Sequence, residues 1–138
     1  MIEAMAGVLV AIVAVALAKK LKGERWMYSA SLLALPSIYC VFAWWAGERS
    51  VGANELLVGI PFFMAGLLFT FVRPRCSVGI VGVLWLLHAL YDLTHPLFFI
   101  NPGAPDWYPM FCASVDFVIG IYLLCGYIRA ARADLRVT

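Results

Sequence analysis

"CSVGIVGVLWLLHALYDLTHP" spans residues 76–96, and its reading decides the fold. The first twelve residues carry no charge, and both alternate positions of the run are apolar, so the period-two pattern of a barrel strand is absent. A helix over 76–93 would be about 27 Å long at ~1.5 Å per residue, close to the ~30 Å of hydrocarbon in a bilayer. A helix also satisfies its own backbone in lipid, where no water can do so. The stretch therefore reads as a transmembrane helix with two histidines and an aspartate crowded at one end.

Working outward, the same character recurs along the chain of 138 residues, which is 64% hydrophobic and 13% charged, with a mean hydropathy of +0.94. That balance lies outside the range of a soluble domain. Five spans are predicted, at about 2–18, 26–46, 56–72, 76–93 and 109–128, forming an all-α, polytopic membrane helix bundle with 1–138 as one domain. The connections are short: "KKLKGER" (19–25), "GERSVGANE" (47–55), "RPR" (73–75) and the longer "THPLFFINPGAPDWYP" (94–109), with "RAARADLRVT" as a tail.

Basic residues set the orientation, because short loops rich in Lys and Arg stay cytoplasmic. Lys19, Lys20, Lys22 and Arg25 lie in the first connection, Arg73 and Arg75 in the third, and Arg129, Arg132 and Arg136 in the tail. An odd number of spans puts all three groups on one side, with the N-terminus outside and the C-terminus cytoplasmic; Arg49 alone faces out. The net charge of +2 then reflects topology rather than nucleic-acid binding, and the basic face can also attract anionic lipid. Span one has Glu3 before its apolar core and its lysines after it, the reverse of a signal peptide, so it reads as a retained anchor. Cys40, Cys76, Cys112 and Cys125 form no C-x-x-C pair, which leaves zinc-ribbon and thioredoxin-like chemistry without support; small apolar packing is the plain role for all four.

On this topology the ionisable groups of the spans share the outer leaflet. His88 and Asp92 are i and i+4 and stack on one helical face, and His95 at i+7 continues the stripe if the helix lasts that far. Pro96 pushes its predecessor away from the α region, so His95 is expected in the loop, bending back over the helix end. Asp116 enters from the adjacent antiparallel span at a similar depth, and Glu48 and Glu55 flank the second connection on the same side. Ionised groups at such depth are costly unless paired, hydrated or bound to a ligand or metal.

Three chemistries fit. His88, Asp92, His95 and Asp116 are a candidate ligand set for Zn, Fe or Mn, which take neutral imidazole and carboxylate donors and leave positions open for water or substrate. A bound zinc would acidify its water, with Glu48 or Glu55 as base. Without metal, His88 is a proton donor or acceptor oriented by Asp92 or Asp116, these three being the candidate catalytic residues. Structurally, the same groups can be polar glue between helices. Tyr39 and Tyr91 are further accessory candidates beside Glu48 and Glu55. Pro36 and Pro61 should kink spans two and three and open space in the bundle, which Tyr39 would line. The segment "NPGAPDWYPMF" (101–111), rich in proline and aromatic rings, suits either a lid or an interfacial belt; Trp44, Trp45, Trp26 and Tyr28 fit a belt.

The run "HALYDLTH" (88–95), with "WYPMFCASVDFVIGIYLL" (107–124) after a proline-rich stretch, resembles a pattern found in a family of uncharacterised small bacterial integral membrane proteins. The resemblance covers about residues 84–124, implies His88, Asp92, His95, Pro109, Cys112 and Asp116 as family-like positions, and implies no activity. The pair His88-x-x-x-Asp92 is also similar to the His-x-x-x-Glu arrangement of emopamil-binding-like sterol isomerases, in which His and carboxylates on membrane helices move a proton within a lipophilic substrate. Here the second residue is Asp, and that family's tryptophan-rich cavity is not evident.

Three functions follow as expectations: a membrane-embedded enzyme acting on a lipophilic small molecule by metal-assisted hydrolysis or acid/base isomerisation; a protein binding or transporting a metal ion or proton; or a non-catalytic accessory subunit. A transporter of this size would need a homo-oligomer to frame its path. Membrane lipids are the expected partners and nucleic acid is not, and a multi-pass protein of a bacterial inner membrane is the plainest location.

Overall fold

The computed structural model describes residues 1–72, 74 and 76–136, with Arg25 described by its backbone alone. Among the described residues there are five α-helices and no strand: α1 (Ile2–Lys20), α2 (Glu24–Trp45), α3 (Arg49–Phe71), α4 (Ser77–Phe98) and α5 (Tyr108–Asp134). All five are long and apolar enough to cross a membrane. The outward faces are apolar too, with Leu9, Val13, Leu57, Met64, Leu90 and Phe117 all exposed, as expected where the solvent is hydrocarbon.

Helix α2 packs along α3, α4 packs along α5, and α1 lies against α5, while the two hairpins approach each other far less closely. Glycines create the close contacts within hairpins. Gly52, Gly59 and Gly66 recur every seven residues on α3; a Cβ at Gly59 would stand 2.7 Å from the Pro36 ring, and one at Gly66 would stand 2.9 Å from the Ser29 carbonyl oxygen. On the other hairpin a Cβ at Gly120 would press 2.7 Å from Leu86. Small residues let backbones meet, which is how membrane helices gain packing where lipid offers no hydrophobic drive. Three serine hydroxyls inside the spans are satisfied locally: Ser31 donates to the Met27 carbonyl, Ser37 to Leu33 and Ser114 to Met110, each one turn back.

The wider gap between hairpins is filled by rings and polar side chains. At one end, called lower, Trp85 Nε1 donates to the Tyr28 carbonyl at 3.1 Å, Tyr122 hydrogen-bonds Glu24, and the Lys19 ammonium lies 4.9 Å from the centre of the Tyr122 ring. At the opposite, upper end sit the α2–α3 and α4–α5 connections. Lys19, Lys20, Lys22, Arg129, Arg132 and Arg136 belong to the lower end; the expected positions of Arg73 and Arg75, and of the Arg25 side chain, lie outside the described residues.

Three boundaries differ from those predicted by more than two residues, the simplest being the end of α5, which runs to Asp134 instead of about 128. Helix α3 begins at Arg49, so the second connection shrinks to residues 46–48, with Gly47 at φ 82° making the turn, and Glu55 sits inside the helix. Helix α4 continues through Pro96 to Phe98, so His95 is helical and not in a loop. Proline removes one backbone donor and crowds the carbonyl four residues back. So close to the helix end that loss is local, and Phe99 N–H still donates to the His95 carbonyl at 3.4 Å.

Candidate functional site

Two polar clusters occupy the upper half of the space between the hairpins. The first is a triad from α4 and α5. His88 and Asp92 are one turn apart on α4, and Asp116 faces them from α5, about 12 Å into that helix at ~1.5 Å per residue. All three are buried, at 1%, 0% and 0% exposure. His88 Nδ1–H donates to Asp116 Oδ2 at 2.7 Å, while Asp92 Oδ2 lies 3.5 Å from the same nitrogen without hydrogen-bond geometry. The imidazole packs edge-to-face on Phe62 of α3, with ring centres 5.0 Å apart.

This triad leaves much of its polarity unmet. His88 Nε2, both oxygens of Asp92 and Oδ1 of Asp116 are buried without a partner. Two carboxylates face at most one positive charge, that of the His88 ring. Isolated buried charge of this kind costs several kcal/mol by most measures, so a proton or a cation must offset it. One ligand atom from each residue lies within 4.8 Å of the others, close enough for small side-chain movements to bring them around one metal ion. The donors fit such an ion: one imidazole and two carboxylates suit Zn, Fe or Mn, and three protein ligands leave a position open. An ion placed among them would replace the proton between His88 and Asp116 and neutralise both acids.

The second cluster lies nearer the upper end, and both oxygens of its carboxylate are partnered. Glu55 on α3, 2% exposed, accepts from His95 Nε2 at 2.7 Å and Asn101 Nδ2 at 2.9 Å on one oxygen, and from the Tyr91 hydroxyl at 2.6 Å on the other. Asn101 also donates to the Tyr39 carbonyl at 3.0 Å, and its own oxygen receives Gly103 N–H at 3.2 Å. The Asn101 side chain thereby clasps the 99–107 connection to α2 and α3. His95, Phe99, Asn101 and Asp106 line a cavity of about 200 Å³ beneath this connection.

The sequence-predicted residues thus separate. His88, Asp92 and Asp116 meet; His95 does not join them, because an α3 carboxylate claims its Nε2. Glu55 and Tyr91 are in the clasp, Tyr39 joins it through its carbonyl and its ring on His95, and Glu48 is exposed at the start of α3. Cys112 is buried beside Tyr39 and Tyr108, and the four cysteines are free. Asn101 was not anticipated. Within "NPGAP" it reads as a turn residue, and the only hint was its place in the connection above an otherwise unpaired Glu55.

The fold and site define a five-helix protein whose helices are long and apolar enough to cross a membrane, with a buried His/carboxylate centre. The chain belongs to a family of unknown function, DUF6010, whose model matches residues 2–129. No curated protein and no solved structure matches it.

Proposed function

We propose that this protein is a membrane-embedded metal-dependent enzyme acting on a lipophilic substrate, with His88, Asp92 and Asp116 holding one divalent Zn, Fe or Mn ion. The observation that carries the reading is the set of buried, unpartnered atoms on these three residues. Bound at the open position, a water would be acidified to a nucleophile for hydrolysis. An apolar groove of about 430 Å³ between α1, α4 and α5 supports a lipophilic substrate: it is lined by Val8, Leu90, Met110 and Phe117, and its Ala89 and Ala113 lie on the same turns as His88 and Asp116. The positive-inside pattern favours placing the upper end outside the cytoplasm of a bacterial inner membrane. A reporter fused to the C-terminus and active only outside the cytoplasm would reverse that orientation.

The deciding experiment is elemental analysis of the purified protein in mild detergent, beside His88→Ala and Asp116→Ala at matched circular dichroism. About one Zn, Fe or Mn per chain in wild type, absent from both variants, is expected. No metal in wild type even after addition would leave the second reading, acid/base isomerisation through the His88–Asp116 hydrogen bond of 2.7 Å.

A further inference from the structure

Tyr39 of α2 packs on the clasp and clusters with Tyr108 and Cys112, the latter one turn before Asp116 on α5. Its carbonyl oxygen accepts from Asn101, and its ring stacks on His95 with centres 4.4 Å and planes 17° apart, meeting Tyr91 and Tyr108 edge-on at 6.1 and 5.3 Å. These contacts hold the ring on three sides. Its hydroxyl takes no part in the clasp: the residue is 0% exposed and the oxygen has no partner. His95 and Asp92 are three residues apart on one face of α4, so a ring laid against His95 stands beside the turn that carries Asp92. Both Asp92 oxygens are themselves unpartnered.

The triad offers acceptors and one imidazole, but an oxygen-bearing ligand also needs a donor aimed at it, most of all when negative charge develops there. Among the described residues, the buried unpartnered hydroxyls are those of Tyr39 and Tyr28, and Tyr28 lies at the lower end against Trp85 and Tyr122. We infer that Tyr39 is a further ligand-contacting residue, whose hydroxyl donates a hydrogen bond to the oxygen of a carbonyl or carboxylate ligand held at the triad's metal. The site is then completed across the gap between hairpins, with metal ligands from α4 and α5 and the donor from α2. This rests on the metal reading proposed above.

The test uses full-length protein loaded with cobalt(II), as wild type, Tyr39→Phe and Tyr28→Phe, with acetate titrated against the visible absorption of the metal. All three should hold one cobalt per chain. Tyr39→Phe should bind acetate about tenfold more weakly, the loss of one hydrogen bond, while Tyr28→Phe matches wild type. Thermal unfolding in detergent should show Tyr39→Phe no less stable than wild type, because the lost hydroxyl has no protein partner; a merely structural role predicts lower stability and unchanged acetate binding. Equal acetate affinity in wild type and Tyr39→Phe overturns the inference while leaving the metal centre intact. Loss of cobalt from Tyr39→Phe overturns it too, making the residue a metal ligand. A wild type that takes up no cobalt overturns the metal reading and this inference together.

Discussion

The two histidines of α4 stand seven residues apart on one face of one helix, yet they meet opposite conditions. His95 and its carboxylate Glu55 sit among donors that satisfy both acid oxygens, with Tyr91 and Asn101 completing the set. His88 faces two carboxylates and finds one hydrogen bond, leaving its Nε2 and three carboxylate oxygens with nothing to bind. Similar residue types thus build a clasp in one place and an electrostatic deficit in the other. The difference lies in the stoichiometry of donors and acceptors. A satisfied buried network stabilises and specifies a structure, whereas an unsatisfied one is retained only at a cost and points to a ligand.

The comparison breaks first at Glu55. Glu55→Ala strips three donors of their acceptor and should lower unfolding stability in detergent by about 3–5 kcal/mol, as removal of one partner from a buried charged pair does. A loss below about 1 kcal/mol would mean that the clasp does not hold the hairpins together. Next in size is the response to metal. Zinc or manganese at about one hundred times its dissociation constant should stabilise wild type by about 2.7 kcal/mol and leave Asp116→Asn unmoved; equal responses would remove the contrast between clusters. Asn101→Ala should cost about 1–3 kcal/mol by orphaning buried groups, and should raise proteolysis within the 99–107 connection without changing metal content. The smallest effect is the sharpest. Asp92→Asn removes a charge that has no hydrogen-bonded partner, so its unfolding midpoint should match or exceed that of wild type while metal is lost; a fall comparable to that of Glu55→Ala would make the triad a second structural clasp.

Much of this was legible. Helix number followed from apolar runs, and the meeting of His88, Asp92 and Asp116 followed from i, i+4 spacing plus equal depth on antiparallel neighbours. The seven-residue recurrence of Gly52, Gly59 and Gly66, which marks the α3 face that meets α2, was not anticipated. The start of α3 was less visible because "RSVGAN" is polar and reads as a loop, whereas it supplies the first helical turns that bury Gly52 and carry Glu55 inward. His95 was expected beyond the helix end, since the conformational bias before Pro96 is a local preference; packing on Tyr39 and the bond to Glu55 accompany its helical state instead.

By itself the sequence determined five apolar helices, their alternation, the gathering of Lys19, Lys20, Lys22, Arg129, Arg132 and Arg136 at one end and the shared depth of His88, Asp92 and Asp116, because hydropathy and helical rise are properties of the local chain. Only the tertiary structure decided which carboxylate meets which histidine. Depth does not specify how far a helix is rotated about its own axis, nor how widely two hairpins stand apart. Rotation of α3 by its glycine face turned Glu55 toward His95, and the gap between hairpins admitted Asn101 and the Tyr39 ring. The same arrangement left His88, Asp92 and Asp116 enclosed together with more acceptors than donors.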